Sequence, residues 1–154
     1  MILQNRIIIK LSLAILLWLG CSSAFALPPD WNEAEIQWHD YASGMAEAER
    51  TGKGVVLIFY AEWCPTCHAY KNIFKQPKVV ELTRTLVMIR VDIDQQPALS
   101  EQYDFDGDYV PRTFALTATG EVRHNIYAKK RYRYFIKASD ISTFSLLLEK
   151  AIKS

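Results

Sequence analysis

The sequence predicts an α/β fold, a central mixed β-sheet flanked by helices in the order β-α-β-α-β-α-β-β-α. Two apolar runs, 54–60 and 86–93, support this reading; the first has no polar alternation, as a strand buried on both faces requires. The third observation is helical spacing around those runs. Tyr41, Met45 and Ala48 fall on one face before the first run, and Ile141, Phe144, Leu148 and Ala151 form a stripe near the end of the chain.

In chain order, residues 27–34 read as a linker containing Pro28-Pro29, and a single domain spans 35–154. Ile36 and Trp38 alternate with polar neighbours as a short edge strand does. Asp40 suits the N-cap of the first helix and Gly52 its end. After the first buried strand comes Cys64, and Pro65 fits the opening turn of a helix because its missing N–H costs nothing there. Cys67, Tyr70 and Phe74 share one face of that helix. Pro77 breaks it and starts another helix running to Leu82. The second buried strand, 86–93, is interrupted by Arg90 and Asp92. A short helix is expected around 98–103, then strands at 113–116 and 121–126 joined by a turn at Thr119-Gly120. Ser139 or Asp140 caps the last helix.

The N-terminal stretch reads as a signal peptide, 1–26. Arg6 and Lys10 precede an apolar run, 11–19, too short for a membrane span, and Ala24-Phe25-Ala26 fits a cleavage site. Leu19-Gly20-Cys21 also resembles the end of a lipoprotein signal, and membrane attachment is expected only if Cys21 is lipidated. Either route leads to a compartment where disulfides persist, the periplasm first, with the ER lumen or secretion as alternatives. The formal charge of +1 gives no electrostatic case for nucleic acid.

Removal of the signal leaves Cys64 and Cys67 as the cysteines. A C-x-x-C pair closes too small a loop to serve as a structural staple. Disulfide exchange needs an attacking thiolate, and a helix N-terminus offers unpaired N–H groups and a positive dipole end to one. The expected roles are Cys64, exposed, as attacking group and Cys67, sheltered, as resolving group. No cofactor and no metal are required.

The segment Phe59-Tyr60-Ala61-Glu62-Trp63-Cys64-Pro65-Thr66-Cys67 resembles a thioredoxin active-site segment. The stretch from Val91-Asp92-Ile93-Asp94 to Pro97 resembles the strand and turn that follow it. Val110-Pro111 stands before a strand, as the cis-proline of thioredoxin-like proteins does. The resemblance implies a thioredoxin-like fold, a cis Val110–Pro111 bond, and substrate contacts at Trp63, Pro65, Thr66, Val110 and Pro111. Its implied partners are proteins bearing thiols or disulfides, glutathione, or a membrane electron donor. Ile36-Gln37-Trp38, Asp106-Gly107-Asp108-Tyr109-Val110-Pro111-Arg112 and Tyr132-Arg133-Tyr134-Phe135 are similar to the small anterior-gradient group of the ER lumen. The chain ends Ala151-Ile152-Lys153-Ser154 rather than in an ER-retention tetrapeptide, which favours a periplasmic relative. One departure stands out: the buried Asp that thioredoxins carry before the motif is Ile58 here, so resolution is expected to use water or another base and to be slower.

Three other readings compete. Cys64-Pro65-Thr66-Cys67-His68 also fits c-type haem attachment, with His68 as one axial ligand and Met45, Met88, His39 or His124 as the other. A copper or zinc carrier would use Cys64, Cys67 and a third ligand such as His124. A client-binding module without turnover would use the basic and aromatic run 129–135.

Overall fold

The computed structural model describes residues 31–153. The expected signal peptide and Cys21 lie outside the described residues, as do residues 27–30. The elements are β1 (Trp38–His39), α1 (Tyr41–Thr51), β2 (Val55–Tyr60), α2 (Pro65–Tyr70), a 3-10 helix (Lys71–Lys75), α3 (Pro77–Thr83), β3 (Val87–Asp92), α4 (Pro97–Gln102), β4 (Arg112–Leu116) and α5 (Ile141–Ile152). The sheet order is β1-β3-β2-β4. The first three of these strands are parallel, and β4 runs antiparallel to β2, which makes the sheet mixed.

Local chemistry sets the element boundaries. The Asp40 carboxylate accepts from the Ser43 N–H at 2.9 Å, and Gly52 closes α1 at φ 69° with its N–H on the Ala48 carbonyl. Asp140 rather than Ser139 caps α5, accepting from the Thr143 N–H at 3.0 Å. Within α1, a Cβ at Gly44 would collide with the Ile89 side chain, so glycine is what lets the helix lie against β3.

β2 is the central strand and is buried on both faces. Val56 and Ile58 point into a cluster with Tyr70, Phe74, Phe144 and Leu148, on the side of α2, α3 and α5. Val55, Leu57 and Phe59 point the other way, into a cluster with Ala48, Ile89, Phe114 and Tyr134. The long apolar run without alternation is thus one strand feeding two cores.

Two regions differ from the sequence expectation. Residues 31–34, read as the end of a linker, pack on the domain. Trp31 is buried, its ring lies 5.0 Å from Tyr60 and 5.5 Å from Phe74, and its carbonyl accepts from the Trp38 indole N–H at 2.9 Å. A large aromatic that can plug the gap between the 3-10 helix and β1 overrides the linker signal of the nearby prolines.

The second difference is the strand expected at 121–126. The turn forms, with the Gly120 N–H on the Thr117 carbonyl at 3.0 Å, but the returning chain makes a single bridge, Leu116 to Val122. The apolar residues explain this. Val122 packs on the α1 side of the sheet, whereas Ile126 is buried on the α5 side. Residues four apart in a strand face the same way, so the chain must turn between them, and the Ile126 N–H bonds back to the Arg123 carbonyl at 2.8 Å. The open edge of β4 is then partly closed by the Tyr134 carbonyl, which accepts from the Thr113 N–H at 2.7 Å.

Candidate active site

The site forms where β2 ends, because that is also where β4 begins. Their antiparallel register pairs Phe59 with Arg112. The residues leaving β2 therefore meet those entering β4, which brings Cys64 next to Val110-Pro111. Cys64 is the N-cap of α2, and Pro65 occupies its first turn. The Cys67 backbone N–H donates to Cys64 Sγ at 3.1 Å, so the sulfur fills the role a Ser or Asp oxygen usually plays at a helix start. On the other side, the Cys64 thiol lies 3.7 Å from the Val110 carbonyl oxygen. The Val110–Pro111 peptide bond is cis. Both cysteines are free thiols.

The two sulfurs differ in exposure less than the sequence suggested. Cys67 is fully buried, and Cys64, expected to be exposed, is only 5% exposed. Ile93 and Val110 pack against the cysteine pair and cover most of Cys64. Next to Cys64 in the chain, Trp63 is 65% exposed, and its indole N–H donates to the Asp94 carboxylate at 2.8 Å. Pro65 and Thr66 are exposed, Val110 is half-buried, and Pro111 is buried beneath it.

Behind the cysteines the site is largely apolar, apart from the buried Tyr70–Thr113 hydroxyl pair, 2.7 Å apart, and one cation. Ile58, at the position where the thioredoxin resemblance implies an acid, is fully buried and pairs with Arg90 of β3 and Thr113 of β4. Burial pushes the Cys67 thiol up to about 12, and hydrogen bonding to Cys64 adds to the rise; the positive charge of Lys71 pulls the other way. Lys71 is itself only 4% exposed. Its Nζ lies 3.6 Å from the Glu62 carboxylate and 5.5 Å from the Trp31 ring centroid.

A second buried cation braces the opposite side. Arg112 follows the cis-proline directly and is fully buried. It donates to the carbonyls of Tyr103 and Gly107, each at 3.3 Å, and to the carbonyl and hydroxyl of Ser100, and its guanidinium lies 5.0 Å from the Phe59 ring centroid. Sequence reasoning missed both cations as site residues. Lys71 left a usable signal, since positions 67, 70, 71 and 74 make a complete helical stripe in which it is the polar member. Arg112 left none beyond its place after Pro111.

Four of the residues named by the competing readings are engaged elsewhere. His68 is exposed, and its Nε2 is 2.6 Å from the Glu62 carbonyl oxygen. Met88 is buried in the α5-side core, and Met45 packs in the α1-side core. The His124 Nδ1 is 2.9 Å from the Tyr134 hydroxyl, and its ring stacks edge-on with Phe105. Among the described residues, no three His, Cys, Asp or Glu side chains gather as a metal site would require.

Comparison with known proteins agrees with this geometry. A family model described as thioredoxin-like matches residues 37–118. The chain belongs to the thioredoxin-like family. This thioredoxin-like chain is 30% identical over 125 residues to anterior gradient protein 2 of Xenopus laevis, an alignment covering 79% of the chain and 65% of that protein. It thus spans just under two thirds of the length of that relative. Over 61 residues it is 33% identical to the thiol:disulfide interchange protein DsbD of Pseudomonas fluorescens, covering 39% of the chain and 10% of DsbD. Its fold superposes on a thioredoxin from Thermus thermophilus with a TM-score of 0.57 at 20% identity, covering 75% of the chain and 86% of that structure.

Proposed function

We propose that this chain exchanges disulfides with thiol- or disulfide-bearing substrates, with Cys64 as the attacking and Cys67 as the resolving group. One observation supports this above the others. Two free cysteines sit one turn apart at the start of α2, with the Cys67 N–H on Cys64 Sγ at 3.1 Å and the carbonyl before a cis-proline on its other side at 3.7 Å. In the reducing direction, the Cys64 thiolate attacks a substrate disulfide. A Cys64–substrate bond forms, and the other substrate sulfur leaves as a thiolate. Cys67 then attacks the Cys64 sulfur, the Cys64–Cys67 disulfide closes, and the second substrate thiolate departs. The substrate gains two electrons and the chain loses them; the same steps in reverse oxidise a dithiol.

Trp63, Pro65, Thr66, Val110 and Pro111 neighbour Cys64 along the chain or face it from the start of β4, and they are the proposed substrate contacts. The signal-like N-terminus supports export, with the periplasm as the proposed compartment. The partners follow from the chemistry: proteins carrying thiols or disulfides, glutathione, or a membrane donor that resets the pair.

The roles are tested by trapping. Cys67→Ser is expected to accumulate mixed disulfides through Cys64, visible as reducible adducts on gels, while Cys64→Ser accumulates none. Equal trapping by both variants contradicts the assignment.

A further inference from the structure

The resolving step has an electrostatic problem that the apolar surroundings create. Cys67 must become a thiolate to attack the mixed disulfide, yet it is fully buried, and Ile58 places a hydrocarbon where an acid or base would otherwise help. A buried anion in such a setting needs a compensating charge. The fold supplies one. Lys71 lies four residues after Cys67, hence on the same side of the chain as it leaves α2, and its side chain stays inside. Burying an ammonium is costly unless it is paired, and here the exposed Glu62 carboxylate holds its Nζ at 3.6 Å while the face of Trp31 lies 5.5 Å away.

We propose that Lys71 is the positioning residue of the resolving step, its buried ammonium stabilising the Cys67 thiolate while Glu62 tethers and moderates that charge. This rests on the thiol-exchange reading above. In the step itself the Cys67 S–H loses its proton, the Cys67–Cys64 S–S bond forms, the Cys64–substrate S–S bond breaks, and the departing substrate thiolate takes up a proton. Lys71 keeps its proton throughout and contributes field alone. Among the described residues, the other charged or titratable groups around this corner are Cys64 on α2, Tyr70 behind Cys67, Tyr60 at the end of β2 packed against the cysteine pair, Asp92 at the end of β3, Glu62 in the connection before α2, and Arg90 of β3 with its partner Glu33. Arg90 stacks on the same Trp31 ring at 5.7 Å, but it is partly exposed and paired to Glu33 at 2.6 Å, so its charge is spent near the surface.

The two members of the Lys71–Glu62 pair have opposite predicted effects. Loss of the cation disfavours the Cys67 thiolate; loss of the anion leaves the cation's field less opposed and favours it. General damage to the site would slow resolution in both cases.

The experiment uses the full chain with Cys64 converted at low pH to a mixed disulfide with thionitrobenzoate, followed by a pH jump. Release of the coloured thiolate reports attack by Cys67 and needs no biological substrate. Lys71→Met is expected to slow release about tenfold near neutral pH, recovering as pH rises, which equals a displacement of the pH profile by about one unit. Lys71→Arg is expected to stay close to the wild-type rate, and Glu62→Gln to exceed it. Release from Lys71→Met at the wild-type rate, or slower release from Glu62→Gln, overturns the proposal. If Lys71→Met does not fold, Glu62→Gln decides it alone. Failure of the wild-type adduct to release the probe would instead overturn the roles assigned to Cys64 and Cys67, and this inference with them.

Discussion

Two buried cations flank the cysteine pair, one on each face of the sheet, and they are held by different chemistry. Arg112 donates directly to backbone carbonyls and a hydroxyl contributed by Ser100, Tyr103 and Gly107, with the carboxylates of Asp104, Asp106 and Asp108 near enough to favour its charge. Its planar, multi-donor head ties α4 and the following loop to the start of β4, and so fixes where Val110-Pro111 meets Cys64. Lys71 is a single charge opposite an exposed carboxylate, beside a thiol whose acidity its field alters. The first cation shapes the site by bonding; the second acts on it through its field. The difference shows why burial alone does not assign a role to a charged residue: the nature of its partners does.

Stability should separate the two most strongly. Arg112→Met leaves several buried carbonyls without donors and is expected to cost about 3 kcal/mol in a urea titration, since each buried unpaired group costs roughly 1–3 kcal/mol. Lys71→Met replaces a buried charge with a chain of similar shape and leaves Glu62 free to rehydrate. Its expected change lies between zero and about 2 kcal/mol of stabilisation. A large loss from Lys71→Met would make it a structural brace like Arg112.

A further effect is expected from pH. Burial raises the Cys67 thiol in the folded state to about 12, above the ordinary unfolded value of roughly 8.5. Its contribution to the stability of the reduced chain is therefore whole below about pH 8.5 and is lost as pH rises toward 12. The disulfide form has no such thiol. The gap between reduced and oxidised urea midpoints should thus shift in favour of the oxidised form between neutral and alkaline pH. A gap that does not change with pH would mean that the folded state leaves Cys67 as acidic as an unfolded thiol.

Legibility from sequence followed the same division. β2 could be read because five consecutive apolar residues admit few other structures. The cysteine pair could be read because its spacing, the preceding strand and the following Pro65 agree. The cis bond at Val110–Pro111 came from resemblance, and the structure bears it out. What could not be read depended on contacts between distant residues. The strand expected at 121–126 fails because Val122 and Ile126 choose opposite cores. Trp31 joins the domain because Tyr60, Phe74 and Trp38 leave a slot for it. Cys64 is covered because Ile93 and Val110 arrive from elsewhere in the chain. Arg112 looks like a surface residue in any local window, and only the fold places it inside; Lys71 showed in the sequence only as the polar member of the stripe at 67, 70, 71 and 74.

The central claim is that Cys64 and Cys67 act as one redox pair, and incubation of the full chain with glutathione redox buffers followed by alkylation and mass measurement tests it most directly. The account predicts that both thiols disappear together at one buffer ratio, as an internal disulfide with no glutathione left attached. Two independent losses, or a glutathione adduct that persists on Cys64 beside a free Cys67, would contradict it.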